Sequence, residues 1–89
     1  MPQDKNEQQA KLVGVVTHFF PKIGVAAIQL KGSLKVGDKV KIVGTKTECE
    51  EVVASLESEH QPLKEAKAPM EVGMKVKNKV REGDRVYLI

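Results

Sequence analysis

The sequence is poor in the residues that staple, stack or span. Of its 89 residues none is tryptophan, and the aromatics are Phe19, Phe20 and Tyr87 alone. With so few rings, contact with nucleic acid has to work through phosphates and shape rather than base stacking. The single cysteine, Cys49, excludes an internal disulfide and agrees with a reducing compartment. No apolar run approaches the roughly 18 residues of a membrane span, and the polar start Met-Pro-Gln-Asp-Lys-Asn-Glu-Gln-Gln has no apolar signal-peptide core. The expectation is a soluble, cytoplasmic protein with no membrane contact.

Residues for catalysis and cofactor binding are equally sparse. His18, Cys49 and His60 are far apart and in no paired metal-ligand spacing, which speaks against a zinc site. Nothing around Cys49 orients it as a nucleophile, and Glu48, Glu50, Glu51, Glu57 and Glu59 all oppose a thiolate. Those glutamates read as a solvated acidic strand rather than as a general acid and base. The stretch Gly32-Ser-Leu-Lys-Val-Gly37-Asp38-Lys39 has the glycine spacing of a phosphate loop. Asp38 stands where that loop needs its lysine, and Lys39 stands where it needs serine or threonine. The composition therefore predicts no enzyme, no cofactor, no metal and no nucleotide binding.

What the chain has is valine in alternating patterns, separated by turn signals, which favours strands. Its organising stretch is Leu34 to Gly44, Leu-Lys-Val-Gly-Asp-Lys-Val-Lys-Ile-Val-Gly, and Arg81-Glu-Gly-Asp-Arg-Val-Tyr-Leu-Ile89 echoes it at the end. In both copies a Gly-Asp turn between basic residues feeds a β-strand. Glycine tolerates positive φ, and aspartate bonds nearby amides. Strands are predicted at 10–20, 25–30, 38–43, 71–77 and 85–89, with Val40 and Ile42, and Val72, Met74 and Val76, facing inward. Segment 47–59 admits helix or strand and is taken as a strand, because no capping box precedes an apolar helical stripe. A longer connection follows, with a helical turn around Leu63 to Ala66. The paired apolar residues of the first strand leave its inward face undecided, and Gly14 signals a bulge or close approach. Six such strands with no long helix predict an all-β fold, a small six-stranded antiparallel Greek-key β-barrel over 10–89 behind a disordered tail, 1–9.

Fifteen basic residues against twelve acidic ones give a net charge of +3. Lys75, Lys77, Lys79 and Arg81 recur at period two and share one face if the strand stays extended; Arg85 follows, and Lys39 and Lys41 flank the organising turn. These seven are the candidate phosphate contacts of an RNA partner, while outer-face lysines also serve simply to discourage edge pairing. Phe19, Phe20 and Pro21 are the candidate contacts of a protein partner.

The order Val13-Gly-Val-Val-Thr17, Gly24-Val-Ala26, Leu34 to Gly44, the 52–57 strand, Ala66, Val72-Gly73 and Gly83-Asp84 resembles the second domain of translational GTPases, the β-barrel of elongation factor Tu and bacterial initiation factors. With no GTPase domain, the chain is similar to the stand-alone proteins called translation elongation factor-like. The resemblance implies a barrel that contacts tRNA or ribosomal RNA. A similar barrel closes collagenase-like peptidases, and Pro69-Met70, standing where the factors carry Gly-Asp or Gly-Glu, is similar to that version. The resemblance thereby also implies a protein-interaction module that docks on a peptidase-like or GTPase-like partner.

Overall fold

The computed structural model describes residues 11–59 and 61–89, and the expected tail at 1–9 lies outside the described residues. Valine alternation and frequent turns commit the described chain to strands and no helix. In order these are β1 (Lys11–Phe20), β2 (Val25–Leu30), β3 (Leu34–Lys35), β4 (Lys39–Val43), β5 (Glu48–Val52), β6 (Leu56–Ser58), β7 (Gln61–Leu63), β8 (Glu65–Ala66), β9 (Glu71–Lys75) and β10 (Arg85–Leu88). Five of the six expected strands are β1, β2, β4, β9 and β10. The sixth segment, 47–59, is strand as expected but is broken into β5 and β6.

That break closes the barrel. β1 pairs with β2 and β10, β2 pairs with β9, and β10 pairs with β4, every pair antiparallel. This leaves one edge of β4 and one of β9. β5 takes the first, from Val43↔Glu48 to Lys39↔Val52, and β6 takes the second through Leu56↔Met74. Between the halves, the Val53 N–H donates to the Asp38 carbonyl and the Gly37 N–H to the Val53 carbonyl, each at 2.8 Å. One segment thus serves two partners by bending. A short arm repeats the closure, β7 pairing with β6 and β8 with β3, through Leu34↔Ala66. The helical turn expected at Leu63 to Ala66 is therefore extended backbone, because β3 offers an open edge that a helical turn would leave unpaired. The peptide between Ala68 and Pro69 is cis.

Val40 and Ile42 of β4 and Val72 and Met74 of β9 are fully buried, with Val76 beyond, as their alternation predicts. β1 is different. Its register shifts between Leu12 and Gly14 against β10, and between Val16 and His18 against β2. These bulges put Val13 and Val16, three residues apart, in the core together. The close approach signalled by Gly14 is real: a Cβ there would lie 2.6 Å from Ile28 Cγ2 and 3.0 Å from the Gln29 carbonyl.

The two Gly-Asp turns are built alike. In the first, the Asp38 N–H donates to the Lys35 carbonyl at 3.1 Å and the Asp38 carboxylate accepts from the Lys35 N–H at 3.0 Å. In the second, Asp84 makes the same two bonds with Arg81, at 3.1 and 2.8 Å. Gly37 and Gly83, with φ of 100° and 89°, occupy the third turn position, which needs positive φ. Asp38 is half-buried, whereas Asp84 is only 3% exposed.

Candidate functional site

Strand alternation sends every second side chain outward, and the seven candidate basic residues stand on β4, on β9, in the β9–β10 connection and on β10. Lys39 pairs with Glu50 at 3.4 Å and Lys41 with Glu48 at 3.3 Å, both on the β4–β5 ladder. Lys75 ends β9, and Lys77 and Lys79 lie in the connection to β10. The strand does not run on through that span. The Lys77 and Asn78 N–H groups turn instead onto the Glu51 carboxylate, at 3.0 and 2.9 Å, and the Asn78 side-chain amide joins them at 2.8 Å. Arg81 and Arg85 flank the second Gly-Asp turn and line one concavity with Lys46 of the β4–β5 loop.

Glu51 corrects the picture of a wholly solvated acidic strand, because it is only 4% exposed. Cys49, Glu51 and Val53 share the inward set of β5 and the bend, and the connection from β9 reaches down to satisfy the buried oxygen. Glu48, Glu50, Glu57 and Glu59 are exposed as expected.

The candidate protein-contact residues stand at the β1–β2 turn. Its chain reversal is fixed by Gly24, whose N–H donates to the Phe20 carbonyl at 2.9 Å. Phe19 is half-buried and packs against the core, whereas Phe20 and Pro21 are exposed. Phe20 is 43% exposed and Ile23, in the same turn, 57% exposed. The two line a concavity of about 390 Å³ together with Val25 and Gly73. Its rim is acidic, carrying Glu57, Glu59 and Glu71. Ile23 was not singled out by the sequence; the signal was a large apolar residue between Lys22 and Gly24, within a turn that exposes it.

The groups that nucleophilic chemistry would need are held apart in separate roles. His18 Nδ1 lies 3.1 Å from Glu82 Oε2, and its ring meets Phe20 edge-on with centroids 4.3 Å apart. Cys49 is half-buried, and its thiol pKa is raised first by burial and then by the charges of Glu51 and Asp84. Among the described residues no three His, Cys, Asp or Glu side chains are placed to hold a metal ion. No helix among them is long and apolar enough to cross a membrane.

Comparison with known proteins finds three kinds of likeness. A Methanocaldococcus jannaschii protein named as an uncharacterized protease is 46% identical over 78 residues, which are 86% of this chain and 19% of that protein. The chain therefore spans about a fifth of that relative's length. The C-terminal domain of a Geobacillus thermoleovorans protein classed with the U32 peptidases shares the fold. One crystal structure of it gives a TM-score of 0.83 at 23% identity, over 89% of this chain and 92% of that one. Its selenomethionine variant gives 0.82 at 24% identity, over 86% and 98%. The sequence likeness is thus to a protein named as a protease, and the likeness of fold is to the C-terminal domain of a peptidase-class protein. The family model for elongation factor Tu domain 2 matches residues 29–86. With that match covering most of the chain, from the end of β2 into the start of β10, this β-barrel belongs to the elongation factor Tu domain 2 family.

Proposed function

We propose that this barrel is a non-catalytic, peptidase-associated module that docks on a partner bearing a peptidase-like domain, with the Phe20 and Ile23 turn as its contact surface. The observation that carries the reading is that pair of large apolar side chains, held out from a rigid two-strand turn beside an acidic-rimmed concavity. A turn needed only to connect β1 and β2 gains nothing by exposing them to water. The partner surface that fits is apolar at its centre and basic at its rim, so that it covers the two side chains and meets Glu57, Glu59 and Glu71. Support also comes from the relatives, whose matching segments belong to proteins named as peptidases or proteases. The scattered His18, Cys49 and Glu51, each committed to its own neighbours, favour a binding role over a catalytic one.

Native capture from the source cell tests it. The wild-type chain is expected to retain a stoichiometric protein with a U32-like peptidase domain after nuclease treatment, and the Phe20→Glu/Ile23→Glu variant to lose it. If the captured material is nucleic acid, or if the double variant retains the same partner, the proposal fails.

A further inference from the structure

The concavity at Lys46, Arg81 and Arg85 has no part in that docking surface. It measures about 470 Å³ and lies between the β4–β5 loop and the second Gly-Asp turn, with Thr45 and Tyr87 adding hydroxyl groups. Among the described residues, none of the three cations is in an ion pair, although three pairs form elsewhere. The matching position in the first turn shows the contrast: Lys39 has Glu50 as a counter-charge at 3.4 Å, and Arg85 has none. The two acids that share the lining are engaged with other groups. The Asp84 carboxylate accepts from the Arg81 N–H at 2.8 Å, and Glu82 lies against His18 at 3.1 Å.

The walls of the concavity are also fixed with respect to each other. Gly44 and Thr47 close the β4–β5 loop by mutual backbone bonds of 2.7 and 3.4 Å. Gly44 lies so close to the Asp84 carboxylate that any side chain there would collide with it. Arg85 stands on the β10 ladder opposite Val43, and the Arg81 backbone is held by Asp84. Lys46, Arg81 and Arg85 outnumber the two carboxylates of the lining, one of which, Asp84, is turned to the Arg81 backbone N–H, and guanidinium forks match the oxygens of a phosphate.

We infer that this concavity is a binding site for a single phosphate group, held by Arg81, Arg85 and Lys46 with Thr45 and Tyr87 as hydroxyl partners. No motif of glycine and lysine spacing is involved, so the site is separate from the phosphate loop that Asp38 rules out. It forms only where the hairpin and the turn meet in space.

An amide-resolved NMR titration of the whole chain with pyrophosphate, at a fixed ionic strength of about 0.1 M, tests the site. Saturable shifts confined to residues 43–47 and 81–87 are expected. The Arg81→Ala/Arg85→Ala variant should bind at least about tenfold more weakly, and Lys64→Ala should bind as wild type does. Shifts spread over all lysines, shifts that do not saturate, or an unchanged double variant would overturn the proposal. Should the double variant fail to fold, Lys46→Ala, on a surface loop, carries the same expectation of weakening. A short RNA with a 5′-phosphate that displaces pyrophosphate from these residues assigns the phosphate to RNA. Failure to displace it assigns a free phosphate.

Discussion

Glu51 is buried and surrounded by donors, and it holds the β9–β10 connection against β5. Its Oε2 accepts from the Lys77 and Asn78 backbone and from the Asn78 amide. Removing it orphans those donors and opens a cavity, so Glu51→Ala should cost about 2–4 kcal/mol in urea-induced unfolding. Glu50→Ala, which removes only an exposed partner of Lys39, should cost under about 1 kcal/mol. Cys49 beside it makes stability depend on pH. Its thiol pKa is raised above its ordinary value near 9.0, so above that pH the unfolded chain releases a proton that the folded chain keeps. Stability should be unaffected by Cys49 below pH 9, fall as pH rises beyond it, and lose that part of its slope in Cys49→Ala, as denaturation at a series of pH values would show.

At the level of the element, the two Gly-Asp turns share geometry but not burial. Asp84→Ala should destabilise more than Asp38→Ala, because Asp84 is enclosed and water cannot readily replace the carboxylate that accepts from the Arg81 N–H. Thermal unfolding of the two variants side by side checks this ordering. Gly44→Ala should also be costly, since its methyl group would displace the Asp84 carboxylate. Much at this scale was legible in the sequence. Clean alternation gave the inward faces of β4 and β9, though β9 stops at Lys75 rather than at 77, and the repeated Gly-Asp pair gave the turns. The faces of β1 were hidden because its two bulges break period two. The bend at Val53 to Ser55 was hidden because it answers a tertiary demand, two strands needing one partner segment, and leaves no glycine or proline to mark it. Glu51 was masked by its exposed acidic neighbours, although its place two residues from buried Val53 pointed inward.

For the whole molecule, the eight-stranded sheet ends on the short strands β5 and β7, so little sheet edge is left for pairing with another chain, and the proposed docking surface lies on a turn instead. Of the proposed docking surface the sequence located Phe20, through the cluster of Phe19, Phe20 and Pro21. It could not locate Ile23, or the rim of Glu57, Glu59 and Glu71, because β6, β9 and the β1–β2 turn meet only in the folded ring. The basic residues show the same limit, since Lys46 joins Arg81 and Arg85 across a large separation in sequence. The most direct measurement is calorimetric titration of the wild-type chain and its Phe20→Glu/Ile23→Glu variant into the captured peptidase-like partner, with circular dichroism confirming that both are folded. A saturable one-to-one heat for the wild type, weakened at least about a hundredfold in the variant, is the expected result. Equal affinity of the two proteins would contradict it.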